Sequence, residues 1–175
     1  MDPQFSLSEI FGMADRIERL AARFFTALAE RGSTVTRPVI LDIARMEEEH
    51  ALTFAGLRVL LEKPGGLHRD REKYAVILSL MVIQIDAELQ VNFTGQEPVE
   101  ELIAKAIDME KSTMVFYHGL REMVADEQAR QTVEALLREE LGHILTLGSF
   151  FTRIPRVGRP RLTIGNPLHG QADVH

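Results

Sequence analysis

Four glutamates and two histidines stand where helical spacing would place them on apolar faces. Positions three, four and seven residues apart share one side of a helix. Around Glu47 those positions are Ile40, Ile43, Ala44, Ala51 and Phe54, with His50 in the same stripe. Around Glu140 they are Val133, Leu136, Leu137, Ile144 and Leu147, with His143 in the stripe. Glu18 has Phe11, Ala14, Ala21, Ala22 and Phe25. Glu110 has Ile103, Ala106, Ile107, Met114 and Tyr117. Glu48, Glu49 and Glu139 fall off these stripes and are expected in solvent.

Carboxylates gathered in an apolar interior repel one another and lose hydration. No Lys or Arg lies on the same stripes to neutralise them. Either they take up protons or cations sit among them. Glutamate oxygen with histidine nitrogen suits iron or manganese, and zinc also fits. Four ionised carboxylates balance two divalent ions. A single Glu-x-x-His pair arises by chance more often than as a ligand set, and Glu18 and Glu110 could in principle be surface residues. Chance becomes the weaker account when six residues on four helices agree in type, order and facing.

The elements that must hold these residues can be read in outline. "SLSE" has capping-box spacing from Ser6 to Glu9 and opens a helix that Gly32 stops. After "GSTVTRP", a second helix with Pro38 in its first turn runs to about Lys63, where "KPGG" ends it. Residues 69–93 are predicted helical, although β-branched residues weaken that reading. Pro98 opens a helix ending near Ala125, and Asp126 caps a last helix that reaches about Arg153. No strand alternation stands out, so the predicted fold is an all-α antiparallel four-helix bundle with one added connecting helix between the second and third bundle helices.

The two halves repeat weakly. "IERLAARFFTAL" from Ile17 parallels "MEKSTMVFYHGL" from Met109, and "RMEEEHALT" from Arg45 parallels "REELGHILT" from Arg138. Glu47 follows Glu18 by 29 residues, and Glu140 follows Glu110 by 30. Such halves would meet across a pseudo-twofold axis with their special residues at one level.

Composition narrows the function classes. The chain has 175 residues, 45% hydrophobic and 26% charged, which suits one soluble domain. A net charge of −6 argues against a general nucleic-acid binder. With no cysteine there are no disulfides, cysteine-held iron–sulfur clusters or rubredoxin-type iron sites, and a cytoplasmic location fits. The N-terminus lacks a basic region followed by an apolar one, so no secretory signal is read. The most apolar run, Ala75 to Ile85, is too short to span a bilayer, and no membrane association is expected. Its apolar character on all sides predicts packing on a second subunit, in a homodimer or larger oligomer.

A Glu from each of two helices plus Glu-x-x-His from each of two others is the ligand pattern of ferritin-like carboxylate proteins. The bundle, residues 6–154, resembles the rubrerythrin-like branch of that superfamily, on the strength of Glu18, Glu47, His50, Glu110, Glu140 and His143. The resemblance implies that these six bind two iron ions and form the catalytic centre. Glu47 and Glu140 would bridge, Glu18 with His50 would complete one ion, and Glu110 with His143 the other. It also implies oxidation of Fe(II) by dioxygen or peroxide, as a ferroxidase for iron storage and oxidative-stress protection. A peroxidase with an external electron donor, or a non-catalytic iron carrier or structural metal protein, are the alternatives. Two departures weigh on the peroxidase. Typical rubrerythrins append a rubredoxin domain for electron entry, for which this sequence has no cysteines, and they carry a further Glu one turn from the lone Glu of the third bundle helix. Here the positions three before and three after Glu110 are Ile107 and Thr113. Tyr117, two turns from Glu110, reads as a core aromatic, with a role as hydrogen-bond donor near the metals as the alternative. His68 and His118 are not assigned to the site.

Residues 155–175 have no helical period and read as an extended tail. Within it "LTIGNPLHG", residues 162–170, carries spaced apolar anchors of the kind that dock into grooves. The segment resembles the C-terminal targeting peptides of encapsulin cargo proteins, roughly Leu-Thr/Ser-Val/Ile-Gly-Ser-Leu-x-Gly. Leu162, Thr163, Ile164 and Gly165 match directly, and Leu168 and Gly170 match if Asn166-Pro167 replaces the single Ser. The resemblance implies an encapsulin shell as partner and the interior of that nanocompartment as location.

Overall fold

The structure is a computed structural model that describes residues 7–60, 77–85 and 97–153. These residues form five helices and no strand: α1 Leu7–Arg31, α2 Thr36–Leu60, α3 over 77–85, α4 Val99–Met123 and α5 Glu127–Arg153. Ser6, and with it the predicted N-cap, lies outside the described residues, as do 61–63 at the expected end of α2 and the flanks of α3 within 69–93.

Local chemistry sets the visible ends. The Gly32 N–H reaches Ala29 O at 3.0 Å as α1 stops. The Thr36 hydroxyl then accepts the Ser33 N–H at 2.9 Å, while the Ser33 hydroxyl accepts the Thr36 N–H at 3.1 Å. This reciprocal pair satisfies N–H groups that a helix start leaves without partners. Pro98 precedes α4 as its N-cap with φ −58°, where its missing N–H costs nothing. The α4 helix ends at Met123, two residues before the predicted Ala125, because Val124 turns extended after its N–H reaches Leu120 O at 3.2 Å. Asp126 caps α5 as expected, its Oδ1 accepting the Ala129 N–H at 2.8 Å.

A link of only four residues turns α2 back along α1, and three residues turn α5 back along α4. The two hairpins then meet through α1 on α4 and α2 on α5. Around the bundle the order is α1, α2, α5, α4, so α1 faces α5 diagonally and α2 faces α4. Two apolar cores fill it. One holds Phe11, Ile17, Phe54, Phe116, Tyr117 and Leu137, and the other holds Ala21, Phe25, Ala44, Ile103, Ala106 and Leu147. The α3 helix closes the first core with Leu78, Val82 and Ile85. Its seat depends on Gly119, where an added Cβ would come within 2.8 Å of Leu78 Cδ2. No helix among the described residues is long and apolar enough to cross a membrane.

Candidate metal centre

Between the two apolar cores lies a polar layer. Glu18, Glu47, His50, Glu110, Glu140 and His143 are each at most 3% exposed. The structure brings together all six residues singled out from the sequence, one from α1, two from α2, one from α4 and two from α5. Each occupies the helix face that its apolar neighbours indicate, since turning any of these carboxylates outward would also carry a row of Phe, Ile and Ala into water.

The geometry has near-twofold regularity. His50 Nδ1 lies 3.3 Å from Glu47 Oε2 and 3.1 Å from Glu140 Oε1. His143 Nδ1 lies 2.9 Å from Glu47 Oε1 and 3.2 Å from Glu140 Oε2. Glu47 and Glu140 thus each give one oxygen to each histidine. Glu18 approaches His50 alone, at 3.7 Å, and Glu110 approaches His143, at 3.5 Å. The two imidazoles stack with centroids 5.8 Å apart. Two overlapping sets of donor atoms result, Glu18, Glu47, His50 and Glu140 in one and Glu47, Glu110, Glu140 and His143 in the other, with the atoms of each set within 4.8 Å of one another.

Electrostatics show what so much buried charge demands. Burial first, and then the charge of Glu47, holds the Glu18 carboxyl well above the ordinary carboxylate range. Burial, with Glu140 and Glu47 beside it, does the same to Glu110. Burial also works against ionised Glu47, but the nearby His143 and His50 outweigh it and keep that carboxyl low. Burial disfavours the imidazolium of His143, yet Glu110, Glu140 and Glu47 push it up to about 12. His50 is raised well above its ordinary value, with Glu140, Glu18 and Glu47 overcoming burial. Without metal, protons are the positive charge at this level of the bundle. Several atoms still have no hydrogen-bond partner among the described residues, including both oxygens of Glu18, Glu47 Oε1, Glu110 Oε1, Glu140 Oε1 and His50 Nδ1. Unsatisfied buried acceptors are costly, and these converge, so the donor set fits cations.

Glu139 is exposed as expected, but it also makes a contact that its position off the stripe did not indicate. Glu48 and Glu49 are exposed as predicted, but Glu139, though 47% exposed, places Oε2 2.9 Å from His50 Nε2. A residue beside an inward-facing one sits about 100° around the helix, at the edge of the buried stripe, where it can reach the next helix. The sequence signal was a break in the repeat: Glu139 corresponds to Met46 in the first half. Thr113, three residues after Glu110, is buried, and its hydroxyl has no partner among the described residues. Tyr117 is fully buried against Phe54 and Phe116, at 5.0 Å and 5.9 Å between ring centroids, in the core role expected of it. His118 is exposed, and His68 lies outside the described residues.

Comparison with known proteins agrees with this geometry. A family model described as Rubrerythrin matches residues 9–149. No curated protein matches the chain. Among solved structures, one from Thermotoga maritima, described as a ferritin-like diiron-carboxylate protein, superposes with a TM-score of 0.63. The match has 19% sequence identity and covers 84% of this chain and 95% of that one, so the ferritin-like bundle is the shared fold.

Proposed function

Because the chain belongs to the rubrerythrin family, we propose that it is a di-iron oxidoreductase that oxidises Fe(II) with dioxygen or peroxide, a ferroxidase serving iron storage and oxidative-stress protection. The observation that carries this reading is the division of Glu47 and Glu140, each offering one oxygen to either half of the buried centre. When bound, two Fe(II) ions supply one electron each to the oxidant. Glu47 and Glu140 would span both ions, Glu18 with His50 would complete one, and Glu110 with His143 the other. Manganese or zinc also suits these donors. Carboxylates suit a metal that changes charge, because they can bind through one oxygen or two. Protons now held by Glu18, Glu110 and the histidines leave as metal enters. The apolar cores on both sides keep bulk water from the reacting atoms.

A ferroxidase is favoured over the rubrerythrin peroxide cycle because Ile107 and Thr113 stand where a further Glu would be needed one turn from Glu110. The chain would act as encapsulin cargo, docking through Leu162, Ile164, Gly165 and Leu168, with ferric iron mineralising inside the shell. That segment lies outside the described residues, and its sequence is the support for this part. Self-association through α3 completes the reading.

Anaerobic Fe(II) titration followed by air or peroxide tests the function. Uptake of two irons per chain, rapid oxidation with new near-ultraviolet absorbance, and continued iron uptake afterwards are expected. Binding without oxidation would replace the enzyme with a carrier or structural metal protein. Sustained peroxide loss with an added reductant and no further iron uptake would make it a peroxidase.

A further inference from the structure

The regularity of the centre stops at its histidines. His50 Nε2 lies 2.9 Å from Glu139 Oε2. A carboxylate oxygen can only accept, so the bond places a proton on Nε2 and leaves Nδ1, on the side of Glu18, Glu47 and Glu140, to give its lone pair to a metal. His143 Nε2 is buried and has no hydrogen-bond partner among the described residues. The repeat explains the difference. Glu139 reaches from α5 to the histidine of α2, but the corresponding residue on α2 is Met46, which offers no strong acceptor to the histidine of α5.

Resting on the metal-centre reading, we propose that Glu139 is a positioning residue that makes the two halves of the centre unequal, so that the Glu18–His50 half takes metal before the Glu110–His143 half. A carboxylate behind a ligating imidazole fixes its tautomer and ring orientation and raises its basicity, and losing such a partner typically weakens metal binding by about 10–100-fold. His50 is held in this way and, among the described residues, His143 is not. Glu139 is half exposed, so replacing it leaves the apolar cores intact.

The test uses Zn(II), which is diamagnetic and needs no oxidant, with the full chain. Calorimetric titration of the wild type should show two unequal binding steps. Glu139→Ala should weaken the tighter step by about tenfold or more and leave the other step and the total of two ions unchanged. Glu139→Gln, whose amide oxygen still accepts, should recover part of the loss. Met46→Glu should tighten the weaker step by giving His143 the missing acceptor. Proton–nitrogen correlation spectra of Zn(II)-loaded protein with labelled histidine should show His50 with its ring proton on Nε2 in the wild type, and a loss of that proton's hydrogen-bonded shift in Glu139→Ala. Equal steps in the wild type, or an equal effect of Glu139→Ala on both steps, would overturn the proposal while leaving the metal centre standing. Failure of the wild type to bind two ions would instead strike the metal-centre reading itself.

Discussion

At the scale of single residues, metal entering this centre would displace protons, and the proton side of that exchange has a measurable sign. Glu18 and Glu110 are raised in the folded chain above their unfolded values of about 4.3. A raised group contributes stability that is full below its unfolded pKa and is lost as pH rises through the folded one. His143 follows the same rule, its contribution present below about 6.5 and lost as pH climbs through about 12. Glu47 runs the other way, but its loss falls in strong acid. Metal-free protein should therefore lose stability as pH rises above about 4.3, with the His143 part of the loss setting in above about 6.5. Glu110→Gln, which removes a carboxyl that burial disfavours, should flatten that slope and gain about 1–3 kcal/mol at the alkaline end. The same variant should lose much of the thermal shift that metal gives the wild type. Thermal melts of both proteins with and without Zn(II) check this, and identical slopes would show that Glu110 does not govern the pH dependence.

At the scale of elements, each hairpin supplies half a centre. The α1–α2 pair brings Glu18, Glu47 and His50, and the α4–α5 pair brings Glu110, Glu140 and His143. Neither half closes alone, because each His Nδ1 sits near a carboxylate of the other hairpin, Glu140 for His50 and Glu47 for His143. The α3 helix is different in kind. It buries Leu78, Val82 and Ile85 but leaves Ile77, Leu80 and Ile83 on its outer side at 54%, 61% and 66% exposure. A second copy of the chain would cover that stripe, as the apolar run suggests. Light scattering should then find a dimer or larger species, and Ile83→Glu should lower its mass without changing metal content. A monomeric wild type, or a variant of unchanged mass, would remove α3 from the interface.

At the scale of the whole molecule, two apolar cores hold an expensive polar layer in place between them. Their burial must outweigh the desolvation of six polar side chains until cations arrive, so metal loading should raise the melting temperature of the entire bundle. The tail belongs to a separate assembly problem. Deleting residues 160–175 should abolish co-purification with a co-expressed encapsulin shell while leaving two metals per chain. Unchanged loading into the shell would reject the targeting role of Leu162, Ile164, Gly165 and Leu168.

Helical periodicity determined much of this protein before any coordinates. It set the type and approximate bounds of the four long helices, the inward facing of Glu18, Glu47, His50, Glu110, Glu140 and His143, and the repeat that pairs them. Such features follow from one helix at a time, because spacing of 3.6 residues per turn links each side chain to its own apolar neighbours. Only the tertiary structure decided which oxygen of Glu47 and Glu140 meets which histidine, that Glu139 crosses from α5 to His50, and that Gly119 seats Leu78. Those contacts depend on how far each helix is turned and shifted against the next. Packing of both cores sets that stagger at once, and no pattern within a single helix encodes it.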